Sequence, residues 1–194
     1  MKQPPSWLDS TARTKIICGI ASGMACVHSK GIIHRDLKPG NVLIDENHLP
    51  RICDFGSSRL LSTDSTPTMS GTTRAYAAPE IYDDDFEYST KMDVYSFGVM
   101  LYEIATGKFA FRKTKNGRDR TEAQLMNYII SGNREDIESA TPFTKDLIER
   151  CWAQDPDSRP SFEEICASLK KKMHMLFYDA DLDEIIEFRA KFFT

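Results

Sequence analysis

Apolar residues recur at helical spacing in several segments of the chain, and this pattern predicts a mainly α-helical protein. In residues 8–29 the apolar positions fall on one helical stripe, which Lys30 and Gly31 end. Residues 94–105 are apolar nearly all round, as is typical of a helix buried at the centre of a domain. We therefore expect a fold organised around the helix at 94–105.

Start and stop signals predict further helices towards the C-terminus. They are the segment 121–131 before Gly132, a helix opened by Thr141 and Pro142, a helix opened by the capping box of Ser161 and Glu164, and a last helix opened by Asp181. All are short enough for one compact helical unit.

Short β-like runs occupy residues 32–33, 42–44 and 51–53, and a turn-rich segment separates the last two. These two runs predict a small hairpin. Residues 57–73 differ, because ten of these seventeen positions are Ser or Thr and apolar periodicity is almost absent. We interpret 57–73 as a hydroxyl-rich loop.

Composition excludes some functions. Lys and Arg number 25 against 29 Asp and Glu, for a net charge of −4, so no nucleic-acid partner is expected. No apolar run is long enough to span a bilayer, so no membrane partner is expected. The five cysteines show no metal-ligand spacing and indicate a reducing compartment, the cytosol or the nucleus, with a cytoplasmic location as the expectation.

A set of polar residues suited to phosphoryl transfer lies in the hairpin region. Asp36, Lys38 and Asn41 fall within six residues, and Asp54 follows thirteen residues after the asparagine. Phosphoryl transfer needs a carboxylate for the attacking hydroxyl, a cation for the migrating group, and hard oxygen ligands for Mg²⁺. The predicted hairpin would bring Asn41 and Asp54 face to face.

At these residues the sequence resembles the eukaryotic protein kinases. The pattern H-R-D-L-x-x-x-N occupies 34–41, D-F-G occupies 54–56 and A-P-E occupies 78–80, in the order that the family requires. The resemblance implies a mainly α kinase C-lobe, a helical bundle with a small β-hairpin at the catalytic site. The resemblance covers nearly everything from about Leu8 to Lys172. We therefore expect a kinase C-lobe as a partial domain over 1–172, with 173–194 as a C-terminal helical extension.

The resemblance implies a role for each polar residue of the hairpin region. Asp36 would be the catalytic base, and Lys38 would contact the γ-phosphate of ATP. Asn41 and Asp54 would bind Mg²⁺, and Leu43 would form the floor of the adenine pocket. ATP and Mg²⁺ are therefore the expected cofactors, with Lys38, Asn41, Leu43 and Asp54 as the binding residues.

Lys38 is typical of kinases that act on serine and threonine. Residues 148–152, together with the D-P-x-x-R-P pattern at 155–160, are similar to the tyrosine-kinase-like group of serine/threonine kinases. Protein substrates with serine or threonine acceptors are the implied partners.

Regulatory residues follow from the same resemblance. Arg35 would bind a phosphate on the hydroxyl-rich loop, and Thr68 and Ser70 are the expected phosphate carriers. Thr73 matches the threonine that such kinases place beside the acceptor hydroxyl.

Five further residues would have structural roles. His34 and Phe55 would stack under the site, Glu80 and Arg159 would form an ion pair, and Asp93 would hold the backbone of the catalytic loop.

The residues that normally cover the nucleotide are not found. Only 33 residues precede His34, with no G-x-G-x-x-G loop and no V-A-I-K strand among them. We therefore expect a C-lobe without its N-lobe, inactive as this chain alone.

Three interpretations remain: a kinase whose N-lobe lies outside this sequence, a non-catalytic interaction module with a kinase-like fold, or another phosphotransferase such as an aminoglycoside- or choline-kinase-like enzyme. The A-P-E triplet, Asp93 and Arg159 disfavour the third. We accordingly expect a partner for this chain, either a missing N-lobe or another protein.

Overall fold

The computed structural model describes residues 7–60, 73–83, 85–114 and 116–192. The helices are α1 Ser10–Ser29, α2 Lys91–Thr106, α3 Glu122–Ile130, α4 Pro142–Cys151, α5 Phe162–Lys172 and α6 Leu182–Phe192. The strands are β1 Ile32–Ile33, β2 Val42–Ile44, β3 Pro50–Ile52 and β4 Arg59–Leu60. The mainly α prediction is confirmed. None of the described helices is long and apolar enough to cross a membrane.

Helix α2 is the centre of the fold, as its all-round apolar character predicts. Every residue from 92 to 102 is buried, and α2 packs against both α1 and α4. A Cβ added at Gly98 would lie 2.8 Å from Cys151 Cβ and 2.9 Å from the backbone nitrogen of Trp152. The glycine therefore allows α2 and α4 to approach closely.

The predicted helix starts are present as capping hydrogen bonds. Thr121 and Gln124 form a capping box on α3, and Ser161 and Glu164 form one on α5. Helix α1 begins two residues later than predicted, because the Asp9 carboxylate accepts the Ala12 backbone N–H at 2.8 Å. Local capping thus fixes where α1, α3, α4 and α5 begin.

The strands form two small antiparallel sheets rather than the single predicted hairpin. Strand β2 pairs with β3, with Val42 opposite Ile52. Strand β1 pairs with β4, with Ile32 opposite Leu60. The prediction of a loop over 57–73 is wrong at residues 59 and 60, because backbone pairing with β1 needs no apolar periodicity. Residues 61–72 lie outside the described ranges.

The segment after α5 joins the main core. Its four buried apolar residues are Met173, Leu176, Ile185 and Phe188. Side chains of α1 attach it to that helix. Ser10 Oγ donates to Asp179 at 2.7 Å, Thr11 Oγ1 accepts the Asp181 backbone N–H at 2.8 Å, and Lys15 Nζ lies 2.5 Å from a Glu184 carboxylate oxygen. Residues 173–192 therefore pack with the helices that precede them.

Candidate active site

The loop between β1 and β2 is attached to the buried helix α2 through Asp93. The Asp93 carboxylate accepts the backbone N–H groups of His34 and Arg35, each at 2.8 Å, and lies 2.8 Å from His28 Nε2. Arg35 has a φ of 70°, in the left-handed region that costs free energy for a residue with a side chain. The buried carboxylate therefore holds the loop in a conformation that it would not adopt alone.

Asp36 projects from this loop with one carboxylate oxygen fixed. Lys38 Nζ lies 2.7 Å and Asn41 Nδ2 lies 3.0 Å from Asp36 Oδ2. The Asn41 amide nitrogen also donates to the Asp36 backbone carbonyl at 2.8 Å. Asp36 Oδ1 is buried without a hydrogen-bond partner within the described residues. The second oxygen thus keeps acceptor capacity that no described residue uses.

The β2–β3 hairpin brings Asp54 near Asn41, as the sequence predicts. The Cys53 backbone N–H donates to the Asn41 carbonyl at 2.9 Å, directly beyond the last strand pair. Asp54 follows with a φ of 61°, in the left-handed region, and is exposed. Two potential metal ligands therefore lie at the open end of one hairpin.

The donor types of Asn41 and Asp54 fit a magnesium ion. Since the Asn41 nitrogen donates to Asp36, its amide oxygen is the atom left for a cation. No cluster of three His, Cys, Asp or Glu side chains suited to a metal occurs in the described ranges. Magnesium commonly uses only one or two protein oxygens together with substrate phosphates, so the small donor set is sufficient.

An apolar surface surrounds these polar groups. The rings of His34 and Phe55 meet edge to face at 4.9 Å, as predicted, and His34 Nε2 lies 3.0 Å from the Cys53 carbonyl oxygen. Leu43, the predicted adenine floor, is 58% exposed, and Phe55 is 44% exposed. Large apolar side chains at this exposure form a surface suited to cover by a ligand or a protein.

The ion pair expected between Glu80 and Arg159 is present. Arg159 donates from both terminal nitrogens to the two Glu80 carboxylate oxygens, at 2.6 and 2.8 Å. The Arg159 side chain is completely buried. The pair ties the segment after the hydroxyl-rich loop to the region between α4 and α5.

Arg35, the predicted phosphate-binding residue, contacts Tyr88. Its guanidinium carbon lies 4.2 Å from the centroid of the Tyr88 ring, and its Nη2 donates to the Tyr88 hydroxyl at 3.1 Å. Arg35 Nε is buried with no partner within the part of the chain that the structure describes. Thr68 and Ser70, the expected phosphate carriers, lie outside the described residues.

Thr73 begins a short 3-10 turn, Thr73–Tyr76, next to α2. The Tyr76 hydroxyl in this turn donates to Glu103 at 2.8 Å. Burial raises the pKa of the Glu103 carboxyl and, together with the nearby carboxylate, that of the Tyr76 hydroxyl. Neither Tyr76 nor Tyr88 was predicted from the sequence, because tyrosines at these positions have no local signal that distinguishes them from core residues.

A model of the protein kinase domain matches residues 3–169 of this chain. Three similar relatives come from Dictyostelium discoideum. A probable serine/threonine-protein kinase is 39% identical over 153 residues, which is 78% of this chain and 10% of the relative. The RGS domain-containing serine/threonine-protein kinase A is 37% identical over 159 residues, 81% of this chain and 13% of the relative. The dual specificity protein kinase pyk3 is 39% identical over 158 residues, 80% of this chain and 11% of the relative.

The chain spans only 10% to 13% of the length of these three relatives. The match nevertheless covers the catalytic loop, the hairpin with Asp54 and the Glu80–Arg159 pair. The order of the motifs, the geometry around Asp36 and the family match agree. The chain belongs to the protein kinase family.

Proposed function

We propose that this chain is the C-lobe of a kinase that transfers the γ-phosphoryl group of ATP to serine or threonine hydroxyls of proteins. The observation that carries the proposal is the state of Asp36. One of its oxygens is held by Lys38 and Asn41, and the other is buried without a partner in the described residues. A carboxylate in this arrangement can orient an attacking hydroxyl and accept its proton.

The neighbouring side chains have complementary roles. Lys38 would neutralise charge on the migrating phosphoryl group while it orients Asp36. Asn41 and Asp54 would hold Mg²⁺ through their oxygens, and the ion when bound would offset the negative charge of the nucleotide phosphates. The Asp93 contacts fix the backbone from which Asp36 projects, which supports catalysis by positioning.

The acceptor class rests on Lys38 and on the relatives. Two of the relatives described above have names that specify serine/threonine kinases, whereas pyk3 has a name that specifies dual specificity. Lys38 favours serine and threonine acceptors. The residues at 148–152 and 155–160 support membership of the tyrosine-kinase-like group.

Turnover by this kinase requires an N-lobe, because the nucleotide would otherwise be held from one side only. The 58% exposure of Leu43 supports this, since an adenine floor needs a cover. We expect no protein phosphorylation by the purified chain supplied with Mg²⁺ and ATP. Fusion to the N-lobe of one of the Dictyostelium relatives should produce transfer to a serine-containing protein substrate.

Two aspartate substitutions make the fusion experiment specific. Asp36→Asn should abolish transfer by the fusion, because the amide cannot accept the proton. Asp146→Asn changes an exposed aspartate on α4 in the same way and should leave transfer unchanged. Phosphorylation that persists in the Asp36→Asn fusion would refute the assigned role.

A second candidate function is a non-catalytic interaction module. The exposed apolar side chains Leu43, Phe55 and Leu60 around the site favour it, because a surface of this kind binds proteins readily. An N-lobe fusion that folds and binds ATP but transfers no phosphate would support this second function.

Control of the kinase would act through Arg35. Its Nε, buried and without a partner among the described residues, can donate a hydrogen bond to a phosphate in addition to the Tyr88 contact. Phosphates carried by Thr68 and Ser70 are the proposed ligands. In the active fusion, Thr68→Ala with Ser70→Ala should lower activity, and Arg35→Ala added to them should cost little more. Additive losses, or full activity of the double alanine variant, would contradict this control.

A further inference from the structure

A strongly cationic stretch follows α2 in a chain whose net charge is −4. Residues 108–120 contain six Lys or Arg residues and a single acidic residue, Asp119. None of the roles described above uses the cations of this stretch. The stretch is therefore a candidate for a binding surface of its own.

This stretch shares a cavity of about 570 Å³ with the catalytic loop. One part of its wall consists of Lys38, Pro39 and Gly40, and another part includes residues 109–112 and Arg120. Since Lys38 Nζ lies 2.7 Å from Asp36 Oδ2, the cavity begins where the acceptor hydroxyl would lie. A protein segment with its acceptor at Asp36 would therefore place neighbouring residues in this cavity.

Two exposed cations of the stretch are available to a ligand: Arg112, which lines the cavity, and Lys113, the next residue along the chain. Arg112 and Lys113 share the one Asp119 carboxylate, at 3.3 and 2.8 Å, so that a single anion faces two cations. Their side chains are 58% and 55% exposed. The Arg112 guanidinium also lies 5.4 Å from the centroid of the exposed Phe109 ring, which helps to hold it at the rim.

Arg120 differs from these two residues. Its Nη1 donates to the Phe111 carbonyl at 2.8 Å and to Glu135 at 3.2 Å, and its guanidinium carbon lies 3.7 Å from the centroid of the Tyr128 ring. Arg120 thus supports the wall, and its substitution would not separate binding from folding.

Glu103 is the acidic residue among those that line the cavity, and a free carboxylate at this place would attract basic ligands. Its Oε1 accepts the Ala110 backbone N–H at 2.9 Å and its Oε2 accepts the Tyr76 hydroxyl at 2.8 Å. Burial raises the pKa of this carboxyl. Both oxygens are engaged within the protein, so the available charge in the cavity is positive.

We propose that this cavity, with Arg112 in its lining and Lys113 next to Arg112 in the chain, binds protein segments rich in Asp and Glu around the acceptor residue. The proposal rests on the proposed function for what happens to the acceptor, but the binding step needs neither ATP nor turnover. Opposite charges across such a surface set specificity and the rate of association.

Fluorescence anisotropy with the purified 194-residue chain tests the binding. Two labelled peptides of equal length carry one central serine, flanked by glutamate in the first and by glutamine in the second. We expect the glutamate peptide to bind at least about fivefold more tightly at low salt, with the difference shrinking as salt is added.

Charge variants locate the site. Arg112→Gln with Lys113→Gln should weaken binding of the glutamate peptide about fivefold, from the loss of two exposed charge contacts. Lys170→Gln with Lys171→Gln removes two exposed cations from the end of α5 and should change affinity less than twofold. Asp119→Asn should strengthen binding, whereas general damage to this wall would weaken it. Thermal unfolding of each variant checks that it folds.

Two results with the peptides would overturn the proposal: equal affinities for the two peptides, or equal losses of affinity in the two double variants. A third is that a single-stranded RNA of the same charge binds more tightly than the glutamate peptide, through Arg112 and Lys113. The proposed kinase function would survive each of these. Acidic-peptide binding at this cavity combined with an inert N-lobe fusion would instead count against the kinase function alone.

Discussion

The Glu80–Arg159 pair offers a direct test of how the segment after the hydroxyl-rich loop is anchored. Arg159 donates to both Glu80 oxygens and to the backbone carbonyls of Lys91, Ala153 and Gln154, at 3.0, 2.9 and 3.2 Å. The Arg159 side chain is 0% exposed and the Glu80 side chain 12% exposed. Glu80→Gln preserves the shape but leaves a buried cation without its counterion.

Removing one partner of a buried ion pair costs about 3–5 kcal/mol. Because Arg159 keeps three carbonyl acceptors, we expect Glu80→Gln to lower the free energy of unfolding by about 3 kcal/mol, the lower end of that range. Arg159→Met also leaves the carbonyls without a donor and should cost about 4–5 kcal/mol. With a urea m-value of about 2 kcal/mol/M, the glutamine variant should unfold at a midpoint about 1.5 M lower.

Urea unfolding followed by tryptophan fluorescence, from the buried Trp152 and from Trp7, measures these losses. The matched control is Asp146→Asn, which removes an exposed pair with Arg150 and should cost less than about 0.5 kcal/mol. The double variant Glu80→Gln with Arg159→Met should cost clearly less than the sum of the single variants, because both break one contact. A glutamine variant as stable as the control, or strictly additive losses, would refute the reasoning.

Three further predictions follow from the packing. Asp93→Asn should destabilise the chain by about 2–3 kcal/mol in urea, since one backbone N–H loses a charged acceptor; an unchanged midpoint would contradict this. Gly98→Ala should lower the free energy of unfolding by about 1–3 kcal/mol despite alanine's higher helix propensity, because the new methyl group would collide with the end of α4. A stabilised variant would disprove the close approach of the two helices. Burial raises the pKa of the Cys151 thiol to about 12 and also raises the pKa of the Cys18 thiol. Both buried thiols should therefore react with a disulfide reagent only after unfolding, whereas the exposed Cys26 should react in the native protein. Rapid labelling of either buried thiol in the native protein, measured by mass spectrometry, would count against this.

The amino-acid sequence alone determined the features that depend on neighbouring residues. The capping boxes, the apolar periodicity of α1 and the all-round apolar character of α2 predicted the helical elements, because these signals act within one or two turns. The order of the three kinase motifs likewise predicted the family. The positions of Asp36, Lys38 and Asn41 within one short loop were predictable for the same reason.

Contacts between distant segments were decided only by the tertiary structure. Three contacts join residues that are far apart in the chain: the pairing of β4 with β1, the cation–π contact of Arg35 with Tyr88, and the contact of His28 with Asp93. The same holds for the cavity between Lys38 and the cationic stretch. Such contacts depend on where the buried helix α2 places each neighbouring segment and on the direction of each side chain, and neither is encoded in local spacing.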